Sequence, residues 1–485
     1  MGDDMKIINK MLSLFLAITL LIPNVVFAVP SAPPGGSSNK PGSSSSSNVS
    51  YSGATTFSSA TEDSKTYSSK TSSQSALLVS SGESKITNCT VDKSGDSSGD
   101  DADFYGTNAA ILVYNGATLN INGCTINTNG SHANAVFSYG KGIINIADSK
   151  ITTTSNNSGA IMVTGGGTLT ANNVTAETSG NSSAPIRSDR GGGTLTVNGG
   201  TYTSHGTGSP VIYSTADITV NDATLTSTSS EGVVVEGKNS VTLNNVTMQA
   251  TNTKLNGNSE TYKSIFIYQS MSGDAEVGNS SFTAKNSKII NNKGEIIFVT
   301  NTNTTIELEN NEIINNDSEG GFLKATTAKW GTSGSNGGNV TLNMTNQKAN
   351  GDIIIDDIST LDMTMKDGSV LIGSIDSENQ AKNVSLTLSS DSVLSLTADT
   401  YLDSLDNALE NNSNIYSNGE YKLYVDGKEV SINDSTYTES ESNVVETTTG
   451  TTTQDKDNTN LYIVTGILIV LFVGLIIFIV RRKRK

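Results

Sequence analysis

One short phrase recurs along most of the chain and decides what it can fold into. Thr168-Leu169-Thr170-Ala171-Asn172-Asn173 returns as Thr194-Leu195-Thr196-Val197-Asn198-Gly199. Apolar and polar residues alternate, and the run then stops at Asn followed by Asn or Gly. Alternation with period two marks a half-buried strand. Asn and Gly tolerate positive φ, so the stop reads as a turn.

Written as columns, one inward position reads Leu119, Ile144, Leu169, Leu195, Ile218, Val241, Ala275, Ile306, Val340 and Leu361. The position two further on reads Ile121, Ile146, Ala171, Val197, Val220, Leu243, Val277, Leu308, Leu342 and Met363. A corner column follows with Asn122, Ala147, Asn172, Asn198, Asn221, Asn244, Gly278, Glu309 and Asn343, where stacked asparagine amides can pair. Beyond the corner a second apolar column runs Ile126, Ile151, Ala176, Tyr202, Leu225, Met248, Phe282 and Ile313. A coil of about 25 residues cannot bury its apolar side alone, whereas stacked coils about 4.8 Å apart share one core. The expected fold is all-β, a right-handed parallel β-helix of about twelve coils over residues 66–400.

The flanks carry different signals. Residues 1–28 read as a secretory signal, with Lys6 and Lys10 before an apolar run and Val26-Phe27-Ala28 as the cleavage site. Residues 29–65 are Ser, Gly and Pro rich and read as a linker. Residues 401–432 read as a C-terminal cap, a hairpin turning at Asp426-Gly427. Residues 433–460 read as a Thr- and Ser-rich stalk. Leu461–Val480 is free of charge and long enough to be one transmembrane helix, and the basic residues 481–485 place that end in the cytoplasm. This predicts a single-pass cell-surface protein with its N-terminal region outside.

Setting aside the tail and Lys6, Lys10, Asp3 and Asp4 leaves 23 basic and 45 acidic residues of the 30 and 47 in the chain. Nucleic acid needs clustered cations and is therefore not an expected partner. The stretch Asp92–Gly106 is dense in carboxylates, and Asp96, Asp100, Asp101 and Asp103 are candidate oxygen ligands for calcium, the one cofactor considered. Cys89 and Cys124 fall at equivalent places in successive coils, at a separation that admits either a disulfide or a stack of two small buried thiols.

One outward position gathers polar and aromatic residues. Tyr114, Tyr139, Thr164, Ser188, Tyr213, Glu236 and Tyr268 each follow the strand before the repeat phrase, with Arg187, Asp189, Arg190, Lys238 and Gln269 close by. Such a strip suits a sugar chain, because aromatic faces stack on rings while carboxylates and amides take hydroxyls. The phrases Ser188-Asp189-Arg190-Gly191-Gly192-Gly193, Ile212-Tyr213-Ser214-Thr215-Ala216-Asp217 and Glu236-Gly237-Lys238-Asn239-Ser240 resemble those of bacterial cell-surface β-helix proteins, adhesin-like and pectate-lyase-like. The resemblance implies a displayed adhesion or structural rod that contacts glycans or cell-surface proteins. The alternative is a tethered polysaccharide lyase or hydrolase using Asp189, Arg190 and Glu236. The Gly-His-Gly of galacturonases is missing, and Ser204-His205-Gly206 is a poor substitute.

Overall fold

A computed structural model describes residues 49–438. Its strands stack in sequence order on three faces. Face one holds twelve parallel strands from Gly53–Phe57 to Ile353–Ile355. The stack goes on through a bridge from Ile353 to Ile375, a hydrogen bond from the Tyr401 N–H to the Ile375 carbonyl, and the parallel pair Thr400–Leu402 with Leu423–Val425. Faces two and three come from successive strands of each coil, such as Thr118–Asn122 and Thr125–Thr128. The protein is an all-β parallel solenoid of about 15 turns.

The inward columns hold where the coils are short. Leu119, Ile144, Leu169, Leu195, Ile218 and Val241 lie one over another by strand pairing and are buried. Each such side chain contributes roughly 1.5–3 kcal/mol by leaving water, and only the stack supplies the partner surface.

Three expectations need correction. Fifteen turns replace twelve, because the solenoid begins at Gly53–Phe57, inside the segment expected to be linker, and continues past Thr400. The column after Val241 passes through Phe282, Ile306 and Leu342, and the next through Ala284, Leu308 and Met344. Ala275 and Val277 instead sit in an inserted loop, with Val277 82% exposed, and Ile289 takes the place expected for Phe282. Insertions before and after the strand Lys263–Tyr268 lengthen that coil, so spacing alone chose the wrong residues. Of the two arrangements open to the cysteines, the structure has the stacked thiols, which are free. Cys124 Sγ accepts the Cys89 N–H at 3.3 Å. Ser149 Oγ accepts the Cys124 N–H at 3.0 Å, and Ser287 Oγ the Val246 N–H at 3.1 Å. This column past the corner needs a small acceptor in the next coil, and the Cys124 thiol fills that role for Cys89. Third, no helix among the described residues is long and apolar enough to cross a membrane. The segment expected to span, Leu461–Val480, and the expected signal at residues 1–28 lie outside the described residues.

Corners are built as the sequence implies. Asn198 donates to Asn172, Asn221 to Asn198 and Asn244 to Asn221, each at 2.9 Å. The next residue in each coil turns left-handed, as at Asn173 (φ 51°), Asp222 (φ 54°) and Asn245 (φ 55°). At Gly200 (φ 94°) an added Cβ would lie 2.2 Å from the Val174 carbonyl oxygen, so a side chain has no room there. At the far end Leu423–Val425 and Lys428–Val430 form the antiparallel hairpin around Asp426 (φ 50°) and Gly427 (φ 68°).

Candidate functional site

The outward column of face one changes character along the stack. It begins with Leu78, Leu112, Phe137 and Met162, passes through Arg187 and Tyr213, and resumes with Val234, Phe266 and Phe298. An apolar residue facing out of a sheet needs a cover. The first apolar stretch is buried with Ala109, in the insertion that carries the helix Asp100–Tyr105. The second is buried with Trp330, from the insertion after Leu323–Ala325. Between the two covers the floor is polar, and a cavity of about 210 Å³ opens there. Asp103 and Phe104 wall one side, and Ser270, Ser272 and Asp274 wall another.

Glu236 is the most enclosed charged group in the cavity lining, at 1% exposed. Its Oε2 accepts the Tyr213 hydroxyl at 2.5 Å and the Tyr268 hydroxyl at 2.9 Å, and its Oε1 accepts the Ser270 hydroxyl. Burial pushes its carboxyl above the usual range, against the pull of those three donors, and Asp274 adds to the rise. Burial and Glu236 together hold both tyrosine hydroxyls well above the ordinary phenol range.

Asp189 is 5% exposed and receives Arg187 Nη2 at 3.0 Å and the Arg190 N–H at 3.0 Å. Burial pushes its carboxyl up to about 7; Arg187 opposes the shift and Asp274 reinforces it. Arg190 binds Asp274 at 2.6 Å and Asp100 at 3.3 Å, with its guanidinium carbon 3.9 Å from the centre of the Phe104 ring. One arginine therefore ties both walls to the floor.

Of the residues singled out from sequence, Arg187, Asp189, Tyr213, Glu236 and Tyr268 line one cavity. Arg190 stands behind it. Gln269 is bonded to the carbonyls of Ser270 and Ala275 and holds the wall loop. Lys238 is drawn off to Glu276 at the exposed surface. Tyr114 and Tyr139 belong elsewhere, in a cluster with Tyr51 at centroid separations of 4.4 Å and 6.3 Å from it. The single strip is thus two clusters. Position along the stack explains it: the coils of Ile161–Thr164 and Ile186–Ser188 lie between the strand that ends at Tyr139 and the strand that carries Tyr213.

The candidate calcium ligands disperse. Asp96 accepts the Ser131 N–H, Asp100 meets Arg190, and Asp103 meets His132 at 2.6 Å, while Asp101 lies in the first turn of the helix. Among the described residues no group of three His, Cys, Asp or Glu side chains could hold a metal ion. His205 pairs with Glu177 at 3.0 Å, on the third face. Sequence reasoning missed Phe104, Ser270 and Asp274, which lie in insertions outside the repeat. An unusually long step between repeats was the signal available for them. The chain matches no protein-family model, no curated protein and no solved structure.

Proposed function

We propose that this solenoid is a binding rod acting at the cell surface, and that it holds a glycan at the gap in the covering of face one. The observation that carries the reading is the cavity between Arg187 and Tyr268, where tyrosines, carboxyl groups and hydroxyls converge on an otherwise covered face. Its volume of about 210 Å³ suits one sugar unit of a chain better than an extended oligosaccharide. Carboxyl groups take ring hydroxyls while phenol faces lie against the C–H side of a ring. A repetitive scaffold fits this role, since a stacked core positions inserted loops without itself doing chemistry.

A second reading, glycoside cleavage, has one observation in its favour. Asp189 and Glu236 both have raised carboxyl pKa values in one cavity, and a proton-bearing carboxyl group near neutrality is what a general acid needs. Incubating the protein with a panel of neutral, acidic and amino glycans separates the two. Retention without new reducing ends or unsaturated products is the expected result. Turnover that is abolished in Glu236→Gln would install the enzyme reading instead.

A further inference from the structure

The charge of the cavity narrows the ligand class, and this step rests on the glycan-binding reading above. Its lining brings together Asp103, Asp189, Glu236 and Asp274 with a single cation, Arg187. That cation is taken up by Asp189, Asp103 is taken up by His132, and Asp274 by Arg190. Among the described residues, Glu236 receives only the hydroxyls of Tyr213, Tyr268 and Ser270, and no Lys, Arg or His lies within ion-pair reach of it. A carboxylate 1% exposed with neutral donors alone is an uncompensated charge.

We propose that the cavity takes an amino sugar carrying a free ammonium group, with Glu236 as its counter-ion. The ammonium supplies the cation that the protein omits, and its three N–H donors match a site otherwise rich in acceptors. The neighbouring phenol rings of Tyr213 and Tyr268 add a surface favourable to a cation. An acidic sugar, by contrast, would bring a fifth carboxylate to a lining that holds four. The net charge of −17 on the chain steers a cationic ligand inward and an anionic one away. Burial raises both carboxyls, Glu236 against its three hydroxyl donors and Asp189 against Arg187.

The test is calorimetric titration of the full chain with three probes of matched length: a glucosamine oligomer, its fully N-acetylated counterpart and a galacturonate oligomer. The glucosamine oligomer is expected to bind at least about tenfold more tightly than the acetylated one, a decade per 1.4 kcal/mol of charge pairing. Galacturonate is expected to bind more weakly still. Glu236→Gln keeps one oxygen for the two tyrosine hydroxyls, offers its NH2 to Ser270 Oγ as acceptor, and should erase the preference, whereas the exposed Glu378→Gln should leave it intact. Equal or tighter binding of the acetylated or acidic probe overturns the proposal while leaving glycan binding standing. So does a preference that survives Glu236→Gln. Absence of binding by all three probes overturns the glycan reading along with it.

Discussion

Tyr213 donates its phenolic hydrogen to Glu236 Oε2 at 2.5 Å from the preceding coil of face one. Tyr268, one coil further along, donates to the same oxygen at 2.9 Å. A carboxyl group is thereby suspended between neighbouring rungs of a solenoid, in a position that no single coil could create.

Removing one of these donors should show in stability. Tyr213→Phe leaves the ring in place and deletes a bond to a buried carboxylate, at a cost of about 1.5–3 kcal/mol. Urea unfolding of the variant against the parent is the measurement. A change below about 0.5 kcal/mol would mean that the hydroxyl does not hold Glu236 in solution.

Asp189 predicts a pH dependence with a definite sign. Its carboxyl is raised from 3.8 to about 7 in the folded chain, so between those values the folded state binds more protons than the unfolded one. Stability contributed by this group is present below about pH 4 and is lost as pH rises to about 7. The stability of the parent minus that of Asp189→Asn should therefore fall across that window in urea titrations. A difference that stays flat, or that rises with pH, would show that Arg187 keeps the carboxyl ionised throughout.

The cysteines should be silent until the protein unfolds. Both are buried and free, and burial pushes the Cys124 thiol up to about 11. At pH 8 a disulfide reagent should titrate two thiols only after denaturant is added. Rapid labelling of the native protein would contradict the stacked arrangement.

Tyr202 offers a gain. It is fully buried in the column shared by Ala176 and Leu225, and its hydroxyl has no partner there. Tyr202→Phe removes an unsatisfied polar atom without opening a void of any size, so stability should rise by about 1 kcal/mol. A loss of similar size would mean that the hydroxyl is bonded in solution.

What the sequence made legible was whatever repeats. Leu169 over Leu195 over Ile218 follows from alternation alone, because a one-residue slip would turn every apolar side chain to water. The asparagine ladder follows for the same reason. The cavity was half legible: Arg187, Asp189, Tyr213, Glu236 and Tyr268 stand in or beside repeat positions, and their unusual chemistry there drew notice. The other half was hidden, because Phe104 and Asp274 reach the cavity from insertions whose path no periodicity constrains. The same insertions moved Val277 out of the core column and put Phe282 into it. Tyr114 and Tyr139 share a repeat position with cavity residues, but a repeat position does not report distance along the stack, and three coil steps part Tyr139 from Tyr213.

In the proposed function, ligand enters where the covering of face one is interrupted. Hydrogen–deuterium exchange of the protein with and without a bound glycan tests it most directly. Added protection is expected in Ile186–Ser188, Ile212–Ser214, Val233–Glu236 and the loop carrying Ser270 and Asp274. Protection confined to the cluster of Tyr51, Tyr114 and Tyr139, with none at those strands, would contradict it.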